Sequence, residues 1–297
     1  MSSYFGRNYL LTITPVSGDE LIYQPPLEIR FAVDNTPQNV DATARITLYG
    51  ISARTRALIQ RYDDKEKRYG NLVLKAGYGD NIATIFSGRI HNVEVVKEGV
   101  NTCLRLYCRT IGLAWNTTIF KTWGANTPAI EMLKDVAAAF GLDVEVIGDF
   151  SDLPRFATSY NSGGRLCRDI LDSVKDDWKY YWMITPSRVL LAREGAARKW
   201  ATHEITAKNG MESVPRWYLS TMEIDVKMNH QIQPADVINV TSSFWTINFS
   251  GMYNTDLNNL ANIQQQTGQF NVLRTYHEGI LWGDTWKTTL ISQWRMP

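Results

Sequence analysis

Apolar and polar residues alternate over short stretches through the first third of the chain, the period that turns one side of a pleated strand toward a core. Leu27, Ile29, Phe31 and Val33 show it most plainly, and residues 9–13 and 44–49 read as strands as well. Ser17-Gly18-Asp19 and Pro25-Pro26 punctuate them. After Gly50 the period lengthens: Ser52 is placed to cap a helix whose Ile51, Leu58, Ile59 and Tyr62 reach one side. Strands are predicted again at 72–78, 82–87, 89–96 and 102–108, with turns at Gly79-Asp80-Asn81 and Lys97-Glu98-Gly99. Strands repeating every ~8–12 residues predict a sandwich or barrel.

Between residues 116 and 200 the pattern is mixed. Thr127 followed by Pro128 predicts a helix start, Ile130, Leu133, Val136, Ala137 and Phe140 form its apolar stripe, and Gly141 ends it. A second helix follows Gly163-Gly164, with Leu166, Ile170 and Val174 beside Cys167 and Leu171. It leads into a hairpin of residues 178–184 and 188–193 about Thr185-Pro186-Ser187. From 201 onward strands are predicted at 223–228, 237–241, 269–277 and 286–294, with turns at 233–236 and at Glu278-Gly279. Residues 242–268 are rich in Asn, Gln, Ser and Thr and open with Phe244, Trp245, Phe249 and Tyr253, the make-up of a long loop with a binding or assembly role. The fold class expected is mainly β (β-rich α+β), divided as 1–115, 116–200 and 201–297.

Composition narrows the functions open to such a chain. Its 44% hydrophobic and 21% charged residues suit a sequence folded throughout. The 31 basic and 30 acidic residues leave +1, which gives no overall field toward nucleic acid or an anionic membrane, so no specific nucleic-acid binding is expected. The polar start Met1-Ser2-Ser3-Tyr4 and the lack of any run of about 18 apolar residues predict no membrane insertion and folding in a cytoplasm. Three cysteines, an odd count, fit reduced buried thiols.

Catalysis requires a nucleophile, base or metal in a defined relation, and none emerges. His91, His203, His230 and His277 are scattered, with no partner at metal-ligand spacing. Cys103 and Cys108, five apart on one predicted strand, point to opposite faces, and Cys167 reads as core. Gly163-Gly164-Arg165 lacks phosphate-loop spacing, and Asp63-Asp64 and Asp176-Asp177 read as solvated acids. Arg54, Arg56, Arg61, Lys65, Lys67 and Arg68 are balanced by Asp63, Asp64 and Glu66, as on a solvated helix face. No catalytic residue, metal or cofactor is therefore expected. Ten tryptophans and fourteen tyrosines suit cores and subunit contacts alike. Trp217, Trp245 and Trp282, beside loop signals, are the candidate subunit-interface residues, together with Phe244, Phe249 and Tyr253.

Three segments, in order, resemble the baseplate hub proteins of contractile phage tails and the related spike hubs of bacterial secretion systems. The first, 44–115, carries Ile46-Thr47-Leu48-Tyr49 before a helix, then Leu72-Val73-Leu74-Lys75-Ala76-Gly77-Tyr78 and Ile85-Phe86-Ser87-Gly88-Arg89-Ile90. The second carries Ser159-Tyr160-Asn161, a helix at 166–171, Trp178-Lys179-Tyr180-Tyr181-Trp182 and Arg188-Val189-Leu190-Leu191. The third, 228–240, includes Ile232-Gln233-Pro234-Ala235-Asp236-Val237, followed by Gly268-Gln269-Phe270-Asn271-Val272 and His277-Glu278-Gly279. That family usually has glycine where Ala235 stands. The resemblance implies two tail-tube-like β-barrel or sandwich domains flanking a small α/β insert. It also implies a homotrimer that adapts a threefold spike to the sixfold tail tube, lets DNA pass and buries more than about 2,000 Å² between subunits. Its partners would be its own copies, the tail tube protein, the central spike and other baseplate proteins, in a virion assembled in the host cytoplasm. Any piercing enzyme would reside on other subunits. Rival readings are a cell-wall-degrading tail enzyme, distinguished by turbidity loss on peptidoglycan, and a carbohydrate-binding module, distinguished by glycan binding at Trp245.

Overall fold

The alternating segments pair edge to edge, almost all antiparallel. The computed structural model describes residues 6–36, 42–65, 69–110, 116–185, 187–218, 221–247 and 267–295. β1 (Arg7–Thr14), β2 (Leu21–Tyr23), β3 (Ile29–Asn35) and β4 (Thr43–Leu48) precede helix α1 (Ala53–Ile59), and β5 (Asn71–Tyr78), β6 (Asn81–Glu98) and β7 (Asn101–Arg109) follow it. The middle holds β8 (Thr122–Trp123), α2 (Ala129–Ala138), β9 (Asp143–Ile147), β10 (Tyr160–Asn161), α3 (Cys167–Val174), β11 (Tyr180–Ile184) and β12 (Arg188–Arg193). Then come β13 (Thr202–Thr206), β14 (Arg216–Tyr218), β15 (Thr221–Lys227), β16 (Val237–Thr241), β17 (Thr246–Ile247), β18 (Thr267–Ile280) and β19 (Trp286–Trp294).

Fourteen strands form one sheet, ordered β17-β14-β15-β19-β18-β3-β4-β7-β6-β5-β1-β2, with β16 on β18 and β13 on β16. Within it two sets run in the same order: β3-β4-β7-β6-β5-β1 and β14-β15-β19-β18-β16-β13. The long hairpins β6–β7 and β18–β19 each carry a bulge at the same place, skipping His91 between Ile90 and Asn92 and Leu273 between Val272 and Arg274. The sets differ in their first strand, since β1 joins β5 antiparallel and β13 joins β16 parallel. The outer half of β18 joins them, pairing with β3 from Thr275 opposite Asn35 to Ile280 opposite Arg30.

Alternation decides what each strand buries. Leu11, Ile29, Phe31, Ile46, Leu74, Phe86 and Leu106 fill the first core, which also takes in Trp286 from β19. The middle core centres on Leu133, Val136, Ile170, Tyr180 and Trp182, and the third on Met222, Ile224, Ile238, Phe270 and Leu290. Trp286 stands edge-on to Phe31 at 5.2 Å and donates its indole N–H to the Gly77 carbonyl at 3.1 Å, so neither its surface nor its donor is left unmatched.

Several expectations require correction. The strands predicted at 82–87 and 89–96 are one strand, β6, which continues because Gly88 lets it pass close to β7: a Cβ there would stand 2.1 Å from the Arg109 carbonyl oxygen. Glu278-Gly279 is not a turn but lies within β18. Gly279 is required because a Cβ would meet the Phe31 ring at 2.4 Å, and the chain turns instead at 281–285. Thr127 does not cap α2. Pro128 is the capping residue and offers no side-chain bond, while the backbone of Thr127 accepts from Phe156 N at 3.0 Å. Residues 178 and 179 belong to the end of the preceding turn, with Trp178 N bonded to Val174 O at 3.0 Å, so β11 starts at Tyr180. By contrast Ser52 caps α1 as expected, its hydroxyl accepting from Thr55 N at 3.1 Å. The short strands β9 and β13, both in parallel pairs, have no alternation distinctive enough to be read in advance.

The joint between the sets buries an ionisable group. His277 is 3% exposed, with Nδ1 2.9 Å from Thr288 Oγ1 on β19, and it lines a cavity of about 260 Å³ whose only other titratable group among the described residues is His230. Burial first, then His230, lowers the His277 pKa from 6.5 to about 4. The unfolded chain therefore takes up this proton before the folded one, so the contribution is full above pH 6.5 and is lost as pH falls toward 4, by about 3 kcal/mol. Urea unfolding of the parent and of His277→Gln along a pH series should show their stability difference shrinking between those limits. A difference constant with pH would refute the buried neutral imidazole.

Candidate assembly surface

The register that turns apolar residues inward sets charged ones side by side on the opposite face. Arg30 and Asp34 of β3, Arg45 of β4, Arg105 and Arg109 of β7 and Glu94 of β6 follow one another across the first set, and Arg274 and Glu278 of β18 continue the row. Lys287 of β19, with Glu223 and Asp225 of β15, extends it across the second set. Most of these charges are paired across strands. Arg105 meets Glu98 at 3.0 Å and Glu94 at 3.5 Å, Arg30 meets Glu28 at 3.3 Å and Glu98 at 3.5 Å, and Lys287 meets Asp225 at 3.1 Å. Arg274 Nε donates to Asp34 across the joint at 3.0 Å, and Arg216 pairs with Glu223. The Tyr49 hydroxyl, donating at 2.7 Å, does most to hold the Glu98 carboxyl below its usual value, with Arg30 and Arg105 adding to it.

A second set of charges fastens the middle segment to the second strand set. Arg198 follows β12 and donates from Nε and one Nη to Glu145 of β9 at 2.6 and 2.9 Å. Its other Nη donates to Asp236 at 2.6 Å and to the Pro234 carbonyl at 2.8 Å. Asp236, its side chain 3% exposed, also accepts from Gln233 N at 2.9 Å and lies 3.1 Å from His203 Nε2. The two-point bond from Arg198 keeps the Glu145 carboxyl below its ordinary value.

The residues singled out from sequence fall into three groups. Trp217 and Trp245 pack on their own chain: Trp217 stands edge-on to Trp245, Phe270 and Trp294 at 5.9, 5.2 and 5.4 Å, and both indoles are partly buried. Phe244 and Trp282 project outward, 74% and 66% exposed, with Trp282 Nε1 bonded to the Pro26 carbonyl at 3.2 Å. Phe249 and Tyr253 lie outside the described residues. Sequence reasoning passed over Trp200 and Phe120, both strongly exposed, whose one signal is an isolated aromatic in a polar stretch. It also passed over Val95, exposed on the outer half of β6, because alternation alone makes it look like core.

Cys103 and Cys108 do face opposite sides of β7, with Cys108 in the first core and Cys103 near Glu98. Gly163 uses its N–H on the Asn161 side chain at 2.7 Å, a turn contact. Among the described residues no group of three His, Cys, Asp or Glu could hold a metal, and no helix is long and apolar enough to cross a membrane.

The large, mainly antiparallel sheet with its small α/β piece has a fold like that of solved phage tail proteins. The chain is similar to a tail protein of Neisseria meningitidis MC58 (TM-score 0.59, 10% identity, 97% of each chain covered) and to the 43 kDa tail protein of prophage MuSo2 from Shewanella oneidensis (0.58, 7% identity, 97% and 98% covered). It is also similar to the E. coli type VI secretion component c3393, a protein described as resembling the T4 tail proteins gp27 and gp5 (0.55, 5% identity, 96% of this chain and 77% of that one). No curated protein matches the chain. The Baseplate hub gp41 family model matches residues 11–250, and the chain belongs to that family, as a structural protein of the phage tail baseplate.

Removing Arg198 would take the guanidinium partner from Asp236, whose side chain is 3% exposed, and leave Glu145 with Arg188 alone, at 3.1 Å. Arg198→Met is expected to cost about 3–5 kcal/mol in urea unfolding. A loss below about 1 kcal/mol, the worth of an exposed pair, would show that the cluster fastens nothing.

Proposed function

We propose that three copies of this chain close into the central ring of a contractile-tail baseplate, adapting a threefold spike to the sixfold tail tube and leaving a lumen through which DNA passes. Each chain supplies two tube-like units, 1–115 and 201–297, around the insert 116–200. The observation that carries this is the joint between β18 and β3, because its counterpart on the first strand set is vacant. Counted from the shared bulge, residues 93–98 of β6 correspond to residues 275–280 of β18, the half that pairs with β3. On β6 that half is bonded, among the described residues, only to β7. Val95, which corresponds to His277, is 46% exposed where His277 is 3% exposed.

The counterpart of β3 is β14, whose far edge, among the described residues, carries the two-residue β17 on Arg216 and Trp217, so repeating the joint requires β17 to give way. Repeating the joint between chains sets residues 93–98 of one copy along β14 of the next, with Val95 opposite Trp217 and Val96 opposite Arg216. Three such joints close the ring, satisfy the open strand edges and make six near-equivalent units. The central spike, the tail tube protein and other baseplate proteins then meet the two ends of the ring.

The full chain at micromolar concentration is expected to sediment at the mass of three copies, and negative-stain images to show a threefold ring. Val95→Glu, which places a charge in the proposed joint but on the surface of a single chain, should give folded monomers. Cysteines introduced together at Val96 and Arg216 should cross-link neighbouring chains on oxidation. A parent that runs as a monomer, or Val95→Glu trimers as stable as the parent, would end the reading.

A further inference from the structure

The paired charges of the polar face throw one cluster into relief. Arg30, Arg105, Arg216 and Arg274 each have a carboxylate partner. Arg45, Arg89 and Arg109 are exposed and have none among the described residues. Arg109 stands directly opposite Arg89 across β6 and β7, an arrangement of like charges that costs stability. Arg45, on β4, faces Tyr107, two pairs along from the Thr43–Arg109 pair and so on the same face of the sheet. Beside them opens a cavity of about 420 Å³ lined by Arg45, Arg109, His91, Tyr107, Thr43 and Asp34. Asp34 does not neutralise the cluster, because both its oxygens are already engaged by Arg274 and one also by Thr36. Nor is the cluster a property of the fold. The corresponding positions of the second strand set, counted from the shared bulge, are Glu223, Asn271 and Gln293.

Two unneutralised guanidinium groups line an open cavity, and a third, Arg89, stands opposite one of them across β6 and β7; together they lack an anion. Guanidinium presents paired donors that match phosphate oxygens, and a phosphate would relieve the repulsion between Arg89 and Arg109. We propose that Arg45, Arg89 and Arg109 form a phosphate-binding site for DNA. The choice of DNA as the source of the phosphate rests on the ring reading, taken with this polar face of the sheet toward the lumen. The whole-chain charge of +1 masks the site. Contact is with the backbone alone, so it carries no sequence preference and weakens steeply with salt.

The test is anisotropy of a short labelled DNA duplex with the full-length chain across a salt series, with sedimentation run on every sample. Arg45→Gln with Arg109→Gln is expected to weaken binding at least about tenfold, each lost contact being charge-assisted, and to reduce the magnitude of the log–log salt slope by about two. Arg30→Gln, at an arginine already held by carboxylates, serves as the control and should bind as the parent does. Inorganic phosphate should compete only at far higher phosphate concentration than unlabelled DNA. Equal binding by parent and double variant, or no binding by the parent at low salt, overturns the site. Competition by free phosphate as effective as that by DNA overturns DNA as its source. A double variant whose oligomer dissociates marks the arginines as a contact with an acidic protein surface and also overturns it. The ring reading stands or falls on the parent's mass alone, so a trimer that ignores DNA refutes only the site.

Discussion

One strand, β18, pairs with two different strands along the same edge, and the geometry of the molecule depends on it. Its first half bonds to β16 and its second half to β3, while β19 runs along its other edge. A straight strand could not serve both. The bulge between Val272 and Arg274 supplies the bend, adding twist where one pairing ends and the other begins. Everything buried at the joint then follows from register. Residues 275, 277 and 279 turn toward the cores and residues 274, 276 and 278 toward the polar face, so a slip of one residue would expose His277 and bury Glu278. Trp286 reinforces the register by placing a side chain of the second set in the core of the first.

Much of this was legible because alternation is a local signal. Leu27 to Val33, 72–78, 188–193 and 286–294 announced their strands, and Ser52 announced α1, because each depends on residues within a few positions of itself. What misled was glycine. Gly88 and Gly279 looked like interruptions, yet both lie inside strands that pass too close to a carbonyl or an aromatic ring to carry a Cβ. The sequence does not distinguish a glycine needed for conformation from one needed for clearance, since the obstructing atom belongs to a distant residue. The same holds for the candidate surface. Trp217 and Trp245, interface candidates from their place beside loop signals, are half-covered by Phe270 and Trp294, neighbours far along the chain that local sequence does not bring to them.

Net charge shows the limit of composition. The near balance of acids and bases speaks against a strong overall field, but stability and recognition depend on which charges share a face. Arg198, Glu145 and Asp236 come from three separate segments and become a fastening only when β9, β12 and β16 are in place. Ala235, just before β16, adds a related cost. It is fully buried with φ +73, a backbone region that favours glycine, and the bonds around it hold it there: its N–H donates to Val272 O and its carbonyl accepts from Arg198 N, both at 2.8 Å. The family resemblance, which has glycine at this position, is consistent with that geometry.

The one mismatch between the two strand sets locates the insert's mechanical role. β1 pairs with β5 antiparallel. β13 occupies the corresponding place but arrives from β12, the last strand of the insert, and runs parallel to β16. Arg198 lies on that short path between β12 and β13. Its side chain holds β9 behind it and Asp236 ahead of it, while its backbone N–H is bonded to Ala235. A parallel pair cannot be closed by a tight hairpin, so its ends must be aligned by something outside the pair. Here the insert and its partly buried guanidinium do so: the strand direction that breaks the internal repeat is the direction the insert imposes.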